Sequence, residues 1–111
     1  SREDRAQPCV TGSPRYAAPE QIEGGSASAS ADVYSLGICA FELITGKPPF
    51  RGETLTELFS QHVRAPVPRL PQCAGHWQGL IDALLAKDPA RRPADAGAAL
   101  QRFAALTGEI S

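Results

Sequence analysis

Asp32-Val33-Tyr34-Ser35-Leu36-Gly37-Ile38-Cys39-Ala40-Phe41-Glu42-Leu43-Ile44-Thr45 is the stretch that decides how this chain folds. Val33, Leu36, Ile38, Cys39, Phe41, Leu43 and Ile44 cover most of a helical circumference. A helix apolar on nearly every side belongs inside a larger structure rather than on the surface of a small one. A buried strand is the rival reading, but the length and an aspartate placed to cap at position 32 predict a helix over 33–45. Gly46 followed by Pro48-Pro49 stops it.

Working outward, the chain reads as helices separated by proline and glycine. Residues 1–16 have mixed charges and then Gly12 and Pro14, which predicts loop. Pro19 suits the first turn of a short helix through Glu20, Gln21 and Ile22 that Gly24-Gly25 ends. The small polar run 26–30 predicts a flexible connector. Beyond the central segment, Thr54 and Glu57 have capping-box spacing for a helix over 55–63, with Leu55, Leu58, Phe59 and His62 on one face. Pro66, Pro68 and Pro71 then enforce extended chain. Trp77, Leu80, Ile81, Leu84 and Leu85 form a helical stripe that ends before Asp88-Pro89, and a last Ala-rich helix covers 94–106. No run alternates strictly, so the expected fold is all-α with almost no strand.

Composition narrows the function classes. The chain has 111 residues, 11 Lys plus Arg and 12 Asp plus Glu, for a net charge of -1. That balance gives no electrostatic reason to expect nucleic acid or an anionic membrane as partner. With 42% hydrophobic and 21% charged residues the chain is globular rather than disordered. Within the central segment the longest apolar stretch, 36–41, is far too short to span a bilayer. Cys9, Cys39 and Cys73 are odd in number and far apart, which fits a reducing compartment better than a disulfide framework. Ser1 at the start, in place of Met, suggests a piece of a longer parent.

No glycine-rich phosphate loop, metal-spaced His/Cys set or nucleophile triad is present. His62 and His76 read as a helix-face and a helix-start residue, and Cys39 as a small core hydrophobe. Asp82, Asp88, Glu53 and Glu57 read as solvated charges rather than an acid/base pair.

What stands out is a linear order of motifs. Thr11-Gly12-Ser13-Pro14-Arg15-Tyr16-Ala17-Ala18-Pro19-Glu20 resembles the end of the activation segment of a eukaryotic-type protein kinase, closing on its Ala-Pro-Glu signature. Asp32-Val33-Tyr34-Ser35-Leu36-Gly37 is similar to the start of that family's central F helix, which continues through Phe41-Glu42-Leu43 to Gly46-Lys47-Pro48-Pro49-Phe50. Leu85-Ala86-Lys87-Asp88-Pro89-Ala90-Arg91-Arg92-Pro93 resembles its late Leu-x-x-Asp-Pro-x-x-Arg-Arg-Pro stretch. The wording looks most like the bacterial branch of Ser/Thr kinases. On this resemblance, 1–111 is a partial kinase domain. Residues 1–25 would be the activation-segment end and the loop after the phosphoacceptor, 32–46 the F helix, and 54–107 the C-terminal helices of the large lobe.

The resemblance implies roles residue by residue. Glu20 and Arg92 would form a buried ion pair clasping the activation segment to the large lobe; read alone, Glu20 is an early-helix acid and Arg92 a surface cation. Asp32 would accept hydrogen bonds from the catalytic loop, or is a plain N-cap. Cys39 and Leu43 would anchor the hydrophobic spines, which overlaps with ordinary core packing. Ser13 would support the catalytic aspartate and lysine, or is a turn residue. Gly12, Ser13, Pro14, Arg15 and Tyr16 would floor the substrate site, and Glu42 would meet a basic substrate residue or serve structurally. Cys9 stands where many kinases carry an activating phosphothreonine, leaving Thr11 and Ser1 as phosphosite candidates. Ser30 stands where bacterial relatives often have Arg.

The resemblance also implies what these residues lack. The ATP-binding loop, the strand lysine, the catalytic-loop base and the magnesium ligands would all lie upstream. This segment is therefore expected to bind no cofactor, while the complete parent uses ATP and Mg2+. Its partners would be the remainder of the kinase domain and protein substrates, with no nucleic acid and no membrane contact from this segment. The location would be cytoplasmic, although many bacterial relatives are anchored in a membrane by a later helix. The central helix is expected to leave an apolar patch exposed in the isolated chain, which would be marginally stable or self-associate. A pseudokinase-type scaffold and a free-standing helical interaction module are the other readings.

Overall fold

A computed structural model describes residues 14–25 and 28–107. Among them are five α-helices: α1 (Pro19–Ile22), α2 (Ala29–Thr45), α3 (Leu55–Arg64), α4 (Gln78–Leu84) and α5 (Ala96–Thr107). A 3-10 turn at Pro14–Tyr16 precedes α1, a longer 3-10 stretch at Gln72–Trp77 leads into α4, and a 3-10 turn at Pro89–Arg91 lies between α4 and α5. No strand occurs among the described residues, as expected of an all-α piece.

The long helix α2 is the axis of the molecule. It begins earlier than the sequence predicts, because Ser28 and not Asp32 is its N-cap. The Ser28 hydroxyl accepts from the Ala31 N–H at 3.1 Å, and Ala29, Ser30 and Ala31 are small enough to enter the helix without strain. The expected connector is thus partly helical. Asp32 sits exposed in the first turn, where its carboxylate still suits the positive end of the helix dipole. The far end behaves as expected. Gly46 adopts φ 79°, a left-handed conformation, and returns its N–H to the Glu42 carbonyl at 2.7 Å.

One side of α2 carries the core. Tyr34, Ile38 and Phe41 pack with Phe50, Leu70, Ile81 and Leu85, while Val33 packs with Leu80, Leu84 and Ala99. Gly37 lets α4 come close: a Cβ there would lie 2.8 Å from both Leu84 Cβ and Leu85 Cδ2. A second flank carries the exposed apolar patch expected of this helix and departs from expectation at Cys39. Cys39, read as a core residue, is exposed, and so are Leu36 and Leu43, the latter at 87%. The apolar circumference of α2 therefore meets core on one flank only. Its open flank, with Trp77, Leu100 and Phe103, lines a shallow groove of about 250 Å³.

The remaining helices start and stop close to their sequence signals. Thr54 caps α3 by accepting from the Glu57 N–H at 3.1 Å, but the Glu57 carboxylate reaches the Glu53 N–H at 2.8 Å rather than closing a box on Thr54. The three prolines keep 66–71 extended, and the stripe of α4 is buried at Leu80, Ile81 and Leu84.

Candidate functional site

The turn at Pro14–Tyr16 and the short helix α1 form the end of the molecule where the sequence motifs place substrate. Two side chains fix its backbone. The Ser35 hydroxyl donates to the Tyr16 carbonyl at 2.9 Å, tying the turn to α2. The Gln21 amide oxygen accepts from the Ala18 N–H at 3.1 Å, fixing the entry to α1. Gly12, Ser13, Thr11, Cys9 and Ser1 lie outside the described residues, so the support and phosphosite readings placed on them stay expectations.

Behind the turn lies the clasp. Arg92 donates to Glu20 through both terminal nitrogens, Nη1 to Oε2 and Nη2 to Oε1, each at 2.8 Å. Its other N–H groups reach backbone carbonyls: Nε to Ala86 at 2.7 Å, Nη1 to Ser30 at 3.1 Å and Nη2 to Lys87 at 3.3 Å. The planar guanidinium is thereby satisfied at every donor, which is what allows it to be buried. Tyr34 lies under it, with the ring centroid 5.0 Å from Cζ. Burial alone would raise the Glu20 pKa, but the Arg92 hydrogen bond, Glu20's own backbone and the Arg92 charge outweigh it, so the carboxyl titrates below its ordinary range. The sequence gives no hint that Ser30 braces Arg92, because the residue lies in a run of small polar types.

A second pair faces outward. Arg15 donates to both Glu42 oxygens, at 2.8 and 2.7 Å, and to the Tyr16 hydroxyl at 2.9 Å. Glu42, a candidate for meeting a basic substrate residue, is thus engaged by a cation of the chain itself. Asp32 stands apart from both pairs, exposed on the first turn of α2. Cys39 and Leu43 are brought together on the open flank of α2, in the groove.

His62 is the residue whose importance the sequence conceals. Read as an isolated helix-face residue, it is completely buried. Its Nδ1 lies 2.7 Å from the Tyr34 hydroxyl, and Phe50 packs edge-on against the ring. Burial, and then the Lys87 charge, push its pKa down to about 4. Lys87 donates to the His62 carbonyl at 2.7 Å and sits 4.1 Å from the Phe50 ring centroid. Burial, and then Arg92, lower the Lys87 pKa to about 8. The available signal is register: His62 follows Leu58 by four residues and Phe59 by three, on the face of α3 that turns inward. His76, by contrast, lies exposed at the 3-10 stretch before α4, its ring tilted against that of Trp77.

Among the described residues no group of three His, Cys, Asp or Glu side chains could hold a metal ion, and no helix is long and apolar enough to cross a membrane.

These features define a class first: an all-α helical assembly built on one long rod, with an N-terminal turn clasped by a buried Arg–Glu fork. The protein kinase domain family matches residues 2–103, and the chain belongs to that family. It is 38% identical over 98 residues to serine/threonine-protein kinase PknA of Mycobacterium tuberculosis, covering 87% of this chain and 23% of the relative. It is 37% identical over 87 residues to serine/threonine-protein kinases drp72 of Corynebacterium efficiens, covering 78% of this chain and 17% of the relative. Over 87 residues it is 39% identical to serine/threonine-protein kinase PrkC of Bacillus subtilis, covering 75% of this chain and 13% of the relative. The chain thus spans between about an eighth and a quarter of these relatives' lengths.

Proposed function

We propose that this chain is the C-terminal part of the large lobe of a serine/threonine protein kinase, which transfers the ATP γ-phosphate to protein hydroxyls. The segment's share is to present the substrate-facing turn and to brace the catalytic loop, and alone it binds no nucleotide. The observation that carries this reading is the Glu20–Arg92 fork. It joins the Ala-Pro-Glu end of one motif to the Arg-Arg-Pro end of another across 72 residues, where the resemblance expects a clasp. The relatives' names support Ser/Thr specificity, and the Gly-Ser-Pro sequence at 12–14 suits it. ATP and Mg2+ belong to the remainder of the domain, which also covers the open flank of α2. The location proposed is the cytoplasm.

The full-length protein, given Mg-ATP and a mixed Ser/Thr peptide library, should phosphorylate hydroxyls, and Glu20→Ala should reduce that activity. Full-length protein that folds but transfers nothing would move the reading to a scaffold. Saturable ATP binding by the 111-residue chain would overturn the division of labour proposed here.

A further inference from the structure

We infer that His62 is a positioning residue for the substrate-facing turn, a strut that carries order from the Tyr34 hydroxyl of α2 to the backbone of Pro14 and Arg15. The inference rests on the kinase reading for its functional meaning, though not for its geometry.

Three observations carry it. First, the ring is locked: it is fully buried, its Nδ1 is 2.7 Å from the Tyr34 hydroxyl, and Phe50 meets it edge-on at 5.3 Å between centroids. Second, the other nitrogen, Nε2, is buried with no hydrogen-bond partner. Third, α3 packs directly against the Pro14–Tyr16 turn, and the Pro14 and Arg15 backbone favours the protonated form of the ring. A buried donor without a partner is rare and unfavourable, so this one is aimed at something that completes it.

The chemistry fixes which nitrogen carries the proton. Burial pushes the Tyr34 phenol above its ordinary range, so its O–H stays intact and can donate. If Nδ1 held the hydrogen, Nε2 would present a lone pair toward the Pro14 and Arg15 carbonyl oxygens, acceptor against acceptor. If Tyr34 donates to Nδ1, the neutral ring must carry its hydrogen on Nε2, and a donor faces those carbonyls. Only the second arrangement is attractive at both ends. The Nε2–H then tethers the turn, and the bond shortens to full geometry as the turn seats against bound substrate. Lys87 holds the backbone beneath His62 through its carbonyl, so the strut does not swing with the turn.

The test uses the full-length protein with a Ser/Thr peptide and Mg-ATP. His62→Phe keeps an aromatic ring but removes both nitrogens, and should raise the peptide KM by about five- to tenfold, the worth of one net hydrogen bond. The ATP KM should stay near wild type. His62→Gln, whose amide returns an N–H near the Nε2 position, should recover most of the loss, and Tyr34→Phe should raise the peptide KM in the same direction. An unchanged peptide KM in His62→Phe, an equal rise in the ATP KM, or no rescue by Gln would overturn the inference. Nitrogen NMR of labelled histidine in the wild-type protein should find Nε2 protonated and Nδ1 bare; the reverse tautomer would also overturn it. Should the wild type transfer no phosphate, the kinase reading falls and the tether is decided separately. The tautomer must then hold, and hydrogen exchange at Ala17 must quicken in His62→Phe but not in His62→Gln.

Discussion

Arg92 and Glu20, 72 residues apart in sequence, meet as a fork of two parallel hydrogen bonds, each 2.8 Å long. The pair is asymmetric in burial. The Arg92 side chain is wholly enclosed, whereas Glu20 keeps 23% of its side chain in contact with solvent. The arginine is therefore the partner with most to lose. Its three backbone carbonyl acceptors soften a loss of Glu20 but do not neutralise its charge.

Glu20→Ala should destabilise the chain by about 3 kcal/mol, the lower end for breaking a buried pair, because the acid is partly open to water. Replacing both partners, Glu20→Gln with Arg92→Met, should cost less than the sum of the single changes, since no charge is left stranded. Urea unfolding of the four members of the cycle measures the difference. Strict additivity would show the fork to be ornamental.

Acid should weaken the fold in two stages. His62 is neutral when folded, its pKa lowered from 6.5 to about 4 by burial and by Lys87. Between those values the unfolded chain takes up a proton that the folded chain refuses. Stability is therefore complete above pH 6.5, falls toward pH 4, and levels beneath it, a change on the order of 3 kcal/mol. Glu20, whose pKa is lowered from 4.5, adds stability above that value and gives it up as the pH drops further. Urea midpoints at neutral pH and near pH 5 should differ in the wild type and converge in His62→Gln.

Gly37→Ala tests the close approach of α2 and α4. A methyl group would lie 2.8 Å from Leu84 Cβ, an atom that cannot swing aside. Overpacking of this kind costs about 1–3 kcal/mol, while alanine returns about 1 kcal/mol of helix propensity. The net expectation is a loss, read as a lowered thermal midpoint. A raised midpoint would mean that the two helices slide apart easily.

Much of this architecture was legible because its signals are local. Gly46 after an apolar run, Thr54 three residues before Glu57, and Pro66, Pro68 and Pro71 each act through their own backbone. They mark ends and breaks wherever the chain lies. The clasp was legible for a different reason: Glu20 and Arg92 stand inside linear motifs, so resemblance supplied a pairing that no periodicity contains. What stayed hidden depends on which face meets which neighbour. The α2 pattern shows apolar residues all round, and the sequence cannot tell that Leu36, Cys39 and Leu43 stay exposed along a groove beside α4 and α5. The start of α2 was missed because Ser28 caps with one hydroxyl in a run rich in serine and alanine, while Asp32 offered a stronger but displaced signal. His62 was missed because its hydrogen-bond partner, Tyr34, comes from an element far from it in the chain.

Leu43 separates the properties of this chain from those of the longer protein. At 87% exposure it buries almost nothing here, so Leu43→Asn should shift the stability of the 111-residue chain by less than about 0.5 kcal/mol. If the remainder of the kinase domain covers the open flank of α2, the same change in the full-length protein strands a polar amide where a leucine was packed. The cost there should be about 2–5 kcal/mol, as for other large losses of buried leucine. The groove beside it gives a second readout. Wild-type chain should associate on sedimentation as its concentration rises, and Leu43→Asn should weaken that association by removing apolar area from the contact. A monomer at every concentration, together with equal effects of the substitution in chain and full-length protein, would mean that this flank faces water in both.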